Sequence, residues 1–330
     1  MKSSVSMRRC ICIVGFVLAA CVISSRAQLS ESFYSNTCPQ IFPVVQGMVD
    51  QFVAADRSIA GGFLRLQFHD CFVRGCEASV LLRSPIRAAE MDAPPNAGSL
   101  RGVDEIDRVK AALEQVCPGV VSCADIITLV TRDAVAAVGG PSWQVLFGRR
   151  DGLVSSAIEA NLNLATPADP FPVLVQRFGR LGLSVQDLVV LSGAHTFGRS
   201  HCIRVMGRLY NFLGLPGLTD PTMDPTFAGT LKIMCPSNQP QGTNVVPLDS
   251  TSDTFDTAYF SDLLANRGLF GSDSTLVSNP TSLAIINEAV LQPEAFFRNF
   301  SASMVRMGSI GVLTGSAGEV RLNCGRRNQG

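Results

Sequence analysis

Long apolar runs are scarce in this chain. The apolar stretch Ile11–Ile23 spans 13 residues, and no later segment reaches 18 uninterrupted apolar residues, so a membrane-spanning helix is not expected. Lysine is nearly absent, at positions 2, 110 and 232 only. There is a single tryptophan, and histidine occurs three times, as His69, His195 and His201. Charge of one sign is not in excess, with 27 basic against 27 acidic residues, which argues against nucleic-acid binding through bulk charge. No paired Cys-x-x-Cys motifs occur, so a structural zinc site is not indicated. No Ser/Gly/Pro-rich linker, charge block or internal repeat divides the chain, which favours a single folded unit.

What is present begins with a leader. Lys2, Arg8 and Arg9 precede the 13-residue apolar stretch, and Ser25-Arg26-Ala27 places small residues at cleavage positions. Residues 1–27 therefore read as a signal peptide cut before Gln28. Removing it leaves 23 basic and 27 acidic residues, a net charge of −4. Cys10, Cys12 and Cys21 also leave, and eight cysteines remain. In a secreted chain eight cysteines imply four disulfides, although parity alone allows 105 pairings. Residues 28–330 are long enough for a large core.

The periodicity is mostly helical. Ile41 to Ala55, Ile59 to Phe72 and Gly102 to Val116 carry apolar residues at helical spacing. Ser122-Cys-Ala-Asp125 and Ser184-Val-Gln-Asp187 read as capping-box starts. The first opens a helix ending near Gly139, and the second leads to Gly193 and His195. Pro293 to Met307 places Phe296, Phe297, Phe300, Met304 and Met307 on one stripe, which suits core packing. Trp143 to Phe147 is the main strand-like candidate. Residues 83–99 and 236–256 read as long irregular loops. The expected fold is all-α with minor short β, two helical lobes enclosing a cofactor.

Arg65, Phe68 and His69 stand at i, i+3 and i+4, so a helix places them on one face. Cleaving a peroxide needs a base that takes a proton from one oxygen and returns it to the other, which suits histidine. It also needs a fixed positive charge beside the departing oxygen, which suits arginine. Alone, the pair is weak evidence, since a histidine on an apolar helix is usually a satisfied core residue. The surrounding stretch, Gly61-Gly-Phe-Leu-Arg-Leu-Gln-Phe-His-Asp-Cys-Phe-Val73, and the later Asp187-Leu-Val-Val-Leu-Ser-Gly-Ala-His-Thr-Phe197 resemble, in this order, the two signatures of the secretory (class III) plant haem peroxidases. The resemblance runs from about Gln28 to Cys324.

That resemblance implies one haem b, with His195 as axial iron ligand and Asp273 accepting from its other nitrogen. Asn96, in Glu90-Met-Asp-Ala-Pro-Pro-Asn96, takes the place of the asparagine that bonds the distal histidine. The implied disulfides are Cys38–Cys117, Cys71–Cys76, Cys123–Cys324 and Cys202–Cys235. Two Ca²⁺ ions are implied as well. The distal one draws on Asp70, Glu77, Ser79 and the carbonyls of Val73 and Gly75, with Glu90 behind them. The proximal one draws on Thr196, Asp249, Asp256, the carbonyl of Thr254 and a hydroxyl from Thr251 or Ser252, between which the sequence does not choose. Three departures stand out: Glu77 replaces an aspartate, the loop 249–256 is one residue short, and Ala165 replaces a proline in the haem-edge loop that ends at Pro167. His201 reads as structural or exposed. The expected activity is reduction of H₂O₂ with one-electron oxidation of small phenolic donors by a monomer outside the cell or in the wall rather than the vacuole. The alternative is a non-catalytic wall protein stabilised by haem and calcium.

Overall fold

The computed structural model describes residues 29–238 and 244–328. The expected leader, its cleavage site and Cys10, Cys12 and Cys21 lie outside them. Four helices come first: α1 Ile41–Ala55, α2 Ile59–Cys71, α3 Val103–Val116 and α4 Cys123–Ala137. The middle of the chain holds α5 Ala157–Asn163, α6 Phe171–Gly179, α7 Val185–Ser192, α8 Met206–Tyr210 and α9 Pro225–Met234. The last four are α10 Ala258–Leu264, α11 Gly271–Ser274, α12 Pro280–Leu291 and α13 Pro293–Met307. The only sheet among the described residues pairs β1 Arg199–His201 antiparallel with β2 Val245–Pro247, His201 opposite Val245. No helix among them is long and apolar enough to cross a membrane.

Two helical groups form the expected lobes. In the first, α4 packs on α1, α2 and α3; in the second, α7 packs on α6, α12 and α13. Ile41, Val45, Val49 and Val53 supply the buried stripe of α1, and Phe296, Phe300, Met304 and Met307 that of α13. One continuous apolar core joins the lobes. A smaller core gathers around Cys202, Leu209, Leu231 and Cys235. All four expected disulfides are formed.

The structure departs from the sequence reading in three places. Trp143 to Phe147 is not a strand: only Phe147 makes a bridge, to Ser30, because no second extended segment runs beside it. The stretch 236–256 contains β2, whose partner β1 lies some 45 residues earlier and gives no local signal. At Ser122 only half of the capping box forms. The Ser122 hydroxyl accepts from the Asp125 N–H at 3.2 Å, but the Asp125 carboxylate turns inward to other donors.

Those donors make Asp125 a structural hub. It accepts from the Tyr34 hydroxyl at 2.8 Å, the Gly148 N–H at 2.8 Å and the Arg149 guanidinium at 2.9 Å. Arg149 also donates to the Gly308 carbonyl at the end of α13. Asp125 and Arg149 are almost fully buried, with side-chain exposures of 0% and 2%. Truncating one member of such a pair strands the other charge in the interior. Asp125→Ala is therefore expected to destabilise the protein by about 3–5 kcal/mol, read by urea unfolding. A change below about 1 kcal/mol contradicts the hub assignment.

Candidate functional site

Helix α2 delivers Arg65, Phe68 and His69 to one face, as the spacing predicts. His69 Nδ1 lies 2.5 Å from Asn96 Oδ1. The Asn96 amide cannot turn, because its Nδ2 donates to the Glu90 carbonyl at 2.7 Å. An amide oxygen is only an acceptor, so His69 Nδ1 carries the proton and Nε2 is the free base. Arg65 Nε donates to that Nε2 at 3.2 Å. The rest of its guanidinium is held by the Ser99 carbonyl at 2.6 Å, the Ser99 hydroxyl at 3.0 Å and the Pro95 carbonyl at 2.7 Å. Burial pushes His69 down to about 3, helped by the charges of Arg65 and Arg204 and opposed by the Asn96 bond. It is a neutral imidazole over the whole ordinary range. Burial and Arg204 also pull Arg65 down to about 10, which leaves it cationic. Phe68 stacks against Phe72, centroids 4.2 Å apart, beside the His69 ring.

His195 sits in the 3₁₀ turn Gly193–Thr196 that follows α7. Gly193 permits that position: a Cβ there would meet the Phe296 and Phe260 rings at 2.7 and 2.8 Å. His195 Nδ1 is 2.8 Å from Asp273 Oδ1. The Asp273 carboxylate also accepts from the Tyr259 hydroxyl at 3.0 Å and the Phe270 N–H at 2.8 Å. Tyr259 and Phe270 were not legible as site residues, since neither contacts the cavity side of the imidazole in any pattern the sequence displays. Burial works to lower His195, but the charge and hydrogen bond of Asp273 outweigh it and the net shift is upward. With Nδ1 held by Asp273, the His195 side chain keeps 37% of its surface accessible. The Arg65 charge acts on both histidines. Two imidazoles with Nδ1 held by fixed acceptors thus lie within the field of one guanidinium, an arrangement that fits a planar metal macrocycle ligated from the His195 side.

The expected calcium ligands also converge. Asp70, Glu77, Ser79 and Glu90 are all buried, at 5% exposure or less. Asp70 Oδ1, Glu77 Oε1, Ser79 Oγ and both Glu90 carboxylate oxygens have no hydrogen-bond partner among the described residues. Burial, with added repulsion from Glu77, pushes Asp70 and Glu90 up to about 8. Orphaned, mutually repelling oxygens fit a cation, which satisfies them and keeps them ionised. The Val73 carbonyl accepts from Asn163 Nδ2 at 3.1 Å, and the Gly75 carbonyl from the Glu77 N–H at 2.8 Å. Each retains a second lone pair.

On the other side the Thr196 hydroxyl lies 2.8 Å from Asp249 Oδ2 and 3.0 Å from Asp256 Oδ1. The Thr251 hydroxyl lies 3.4 and 3.0 Å from the same two oxygens. Two hydroxyl protons cannot serve four such contacts, so this cluster too is short of positive charge. Burial, partly offset by the Thr196 bond, raises Asp249 to about 6. Of the two alternatives, Thr251 is the one whose hydroxyl meets the carboxylates. The Ser252 carbonyl accepts from the Gly198 N–H, and the Thr254 N–H donates to the Thr251 carbonyl, both at 2.8 Å. No three His, Cys, Asp or Glu groups among the described residues make a metal cluster by themselves, so hydroxyls and carbonyls must complete either site.

Ala165 and Pro167 lie in the loop between α5 and α6, where the Pro167 carbonyl accepts from the Ser272 N–H at 2.9 Å. This ties the loop to α11, which carries Asp273. His201 is half-buried on β1, its Nδ1 without a partner among the described residues.

A family model described as peroxidase matches residues 45–291. The chain is 46% identical over 323 residues to peroxidase 15 of Ipomoea batatas, covering 96% of this chain and 98% of that one. It is 47% identical over 312 residues to peroxidase 39 of Arabidopsis thaliana, covering 93% and 95%. To a lignin-forming anionic peroxidase of Nicotiana tabacum it is 43% identical over 320 residues, covering 96% and 98%.

The longer Glu77 has a visible accommodation. Its Oε2 lies 1.6 Å from where a Cβ at Gly152 would be, so the absence of a side chain at 152 makes room for the extra methylene. Gly152→Ala is expected to cost about 1–3 kcal/mol through overpacking, and Glu77→Asp in the same chain should recover most of it. Thermal unfolding of the two single variants and the double variant reads this. Additive effects contradict the pairing.

Proposed function

The chain belongs to the class III plant peroxidases and is a peroxidase; on that premise we propose that it is a secreted haem enzyme that reduces H₂O₂ and oxidises small phenolic donors in two one-electron steps. The observation that carries this reading is the pair of imidazoles, each with Nδ1 held by a fixed acceptor and both within the field of Arg65. Haem b, one per chain, would supply the iron and the two-electron redox capacity that peroxide reduction needs.

The protein's own groups do the rest. His195 Nε2 would hold the iron, and Asp273 draws on the His195 Nδ1 proton to give the ring imidazolate character. Tyr259 and the Phe270 N–H keep the Asp273 carboxylate in that orientation. On the distal side His69 Nε2 takes the proton from the nearer peroxide oxygen and hands it to the farther one, which leaves as water. Arg65 stabilises the negative charge that develops on the departing oxygen, and to do so it releases its bond to His69. Phe68, beside His69, would wall off the distal side of a bound haem and leave donors to approach near Ala165 and Pro167.

Two Ca²⁺ ions stiffen the segments that carry the histidines. One is held by Asp70, Glu77, Ser79 and the Val73 and Gly75 carbonyls, with Glu90 behind. The other is held by Thr196, Asp249, Thr251, Asp256 and the Thr254 carbonyl. Each ion sits next to a histidine in sequence, through Asp70 and Thr196. The mature protein spans residues 28–330 and works as a monomer outside the cell, with no membrane or nucleic-acid partner.

His69→Ala is expected to retain haem but slow the reaction with peroxide by ~10²–10⁴. Stopped-flow mixing with H₂O₂ measures it, and a rate within about threefold of wild type ends the proton-shuttle assignment. Guaiacol oxidation by the purified wild type separates this reading from a non-catalytic wall protein, which gives no turnover.

A further inference from the structure

Three successive residues of the distal loop hold a row of three basic side chains. Asn96 Oδ1 accepts from His69, the Pro95 carbonyl accepts from Arg65 at 2.7 Å, and the Pro94 carbonyl accepts from Arg204 Nη2 at 3.3 Å. The first two are the groups proposed to act on peroxide. The third is exposed and stands at the outer end of the row. It reaches the loop from the 3₁₀ turn Cys202–Arg204, just after β1. Its acceptor Pro94 adjoins the acceptors of Arg65 and His69, and its charge acts on both of those groups.

Arg204 differs from the arginines of the outer groove in lacking an acid. Along the outer groove of the same lobe, Arg101 pairs with Asp56, Arg83 with Asp104 and Asp107, and Arg108 with Glu105. Among the described residues no carboxylate pairs with Arg204, and its one hydrogen bond uses one of five guanidinium N–H donors. The remaining donors form a planar fork that matches a carboxylate. We infer that Arg204 is an anion-binding subsite at the outer end of the basic row that selects phenolic donors bearing a carboxylate over neutral phenols. This rests on the peroxidase reading above and names the donor class for the same site. The phenol end lies inward toward the oxidising centre, and the carboxylate lies outward on Arg204.

The test compares 4-hydroxycinnamate with its methyl ester, which has the same phenol and no charge. Holoprotein kcat/KM is measured for each at pH 7 and saturating H₂O₂, in wild type, Arg204→Ala and Arg204→Lys. Wild type is expected to favour the acid by about fivefold, the upper range for one solvent-exposed ion pair. In Arg204→Ala the ratio falls to about one, mainly through a higher KM for the acid. Arg204→Lys restores part of the preference, since it keeps the charge without the fork. Raising ionic strength to about 1 M, where the Debye length is ~3 Å, should erase the wild-type preference as well. Equilibrium binding of the acid to the resting holoprotein, followed by difference absorbance, should weaken in parallel in Arg204→Ala. An unchanged acid-to-ester ratio in Arg204→Ala overturns the proposal. So does an Arg204→Ala protein that binds haem more weakly while its haem-bound fraction keeps the wild-type ratio, because Arg204 then serves a carboxylate of the cofactor. If wild type oxidises neither donor, it is the peroxidase reading that falls.

Discussion

An imidazole has two nitrogens, and this site depends on one of them being tied down. In both His69 and His195 a fixed acceptor captures Nδ1, which makes Nε2 the working nitrogen; in His69 it accepts from Arg65. The acceptors differ, and that difference separates the two rings chemically. His69 meets a neutral amide beside a guanidinium, and is driven down to about 3. His195 meets a buried carboxylate and is driven up. One ring stays a neutral proton acceptor while the other becomes an electron-rich donor, the division of labour that peroxide cleavage at a ligated metal requires.

Such placement is only as good as what surrounds it. On the distal side Asn96 is fixed by the Glu90 backbone, and the Glu90 carboxylate points among the orphaned oxygens of the distal cation cradle. On the proximal side Thr196, next to His195, is part of the Asp249–Asp256 cluster. Each histidine therefore sits beside a cluster of carboxylates short of positive charge. On the proposed reading a cation bound to the folded form alone would stabilise it, and would stiffen the histidines with it. The Glu77–Gly152 contact fits this picture, with a longer ligand seated where a neighbour has given up its side chain.

The long amphipathic helices were legible because their apolar spacing is local. The face shared by Arg65, Phe68 and His69 follows directly from helical geometry. Asp273 came only through family resemblance, because its bond to His195 spans 78 residues and no local pattern distinguishes it from other acids. Tyr259 and the Phe270 N–H were invisible for the same reason. The choice of Thr251 over Ser252 depends on which hydroxyl the turn after Asp249 swings inward, a matter of side-chain direction rather than composition. Short helices such as α5, α8 and α11 span too few turns to display a period, and β2 pairs with a distant strand. Trp143 to Phe147 misled through its apolar alternation alone, since a strand also needs a neighbour. The role of Asp125 was half legible: its position three residues after Ser122 marked a helix start, but its burial beside Tyr34 and Arg149 belongs to the tertiary fold.

The central claim is that His195 and His69 face each other across a haem able to take two oxidising equivalents from peroxide. The most direct measurement is the absorption spectrum of the purified protein before and after one equivalent of H₂O₂. The expected result is a Soret band in the resting protein that weakens and shifts at once on mixing, then returns in two steps as a phenolic donor is added. A protein with no Soret band, or with one that peroxide leaves unchanged, contradicts the claim.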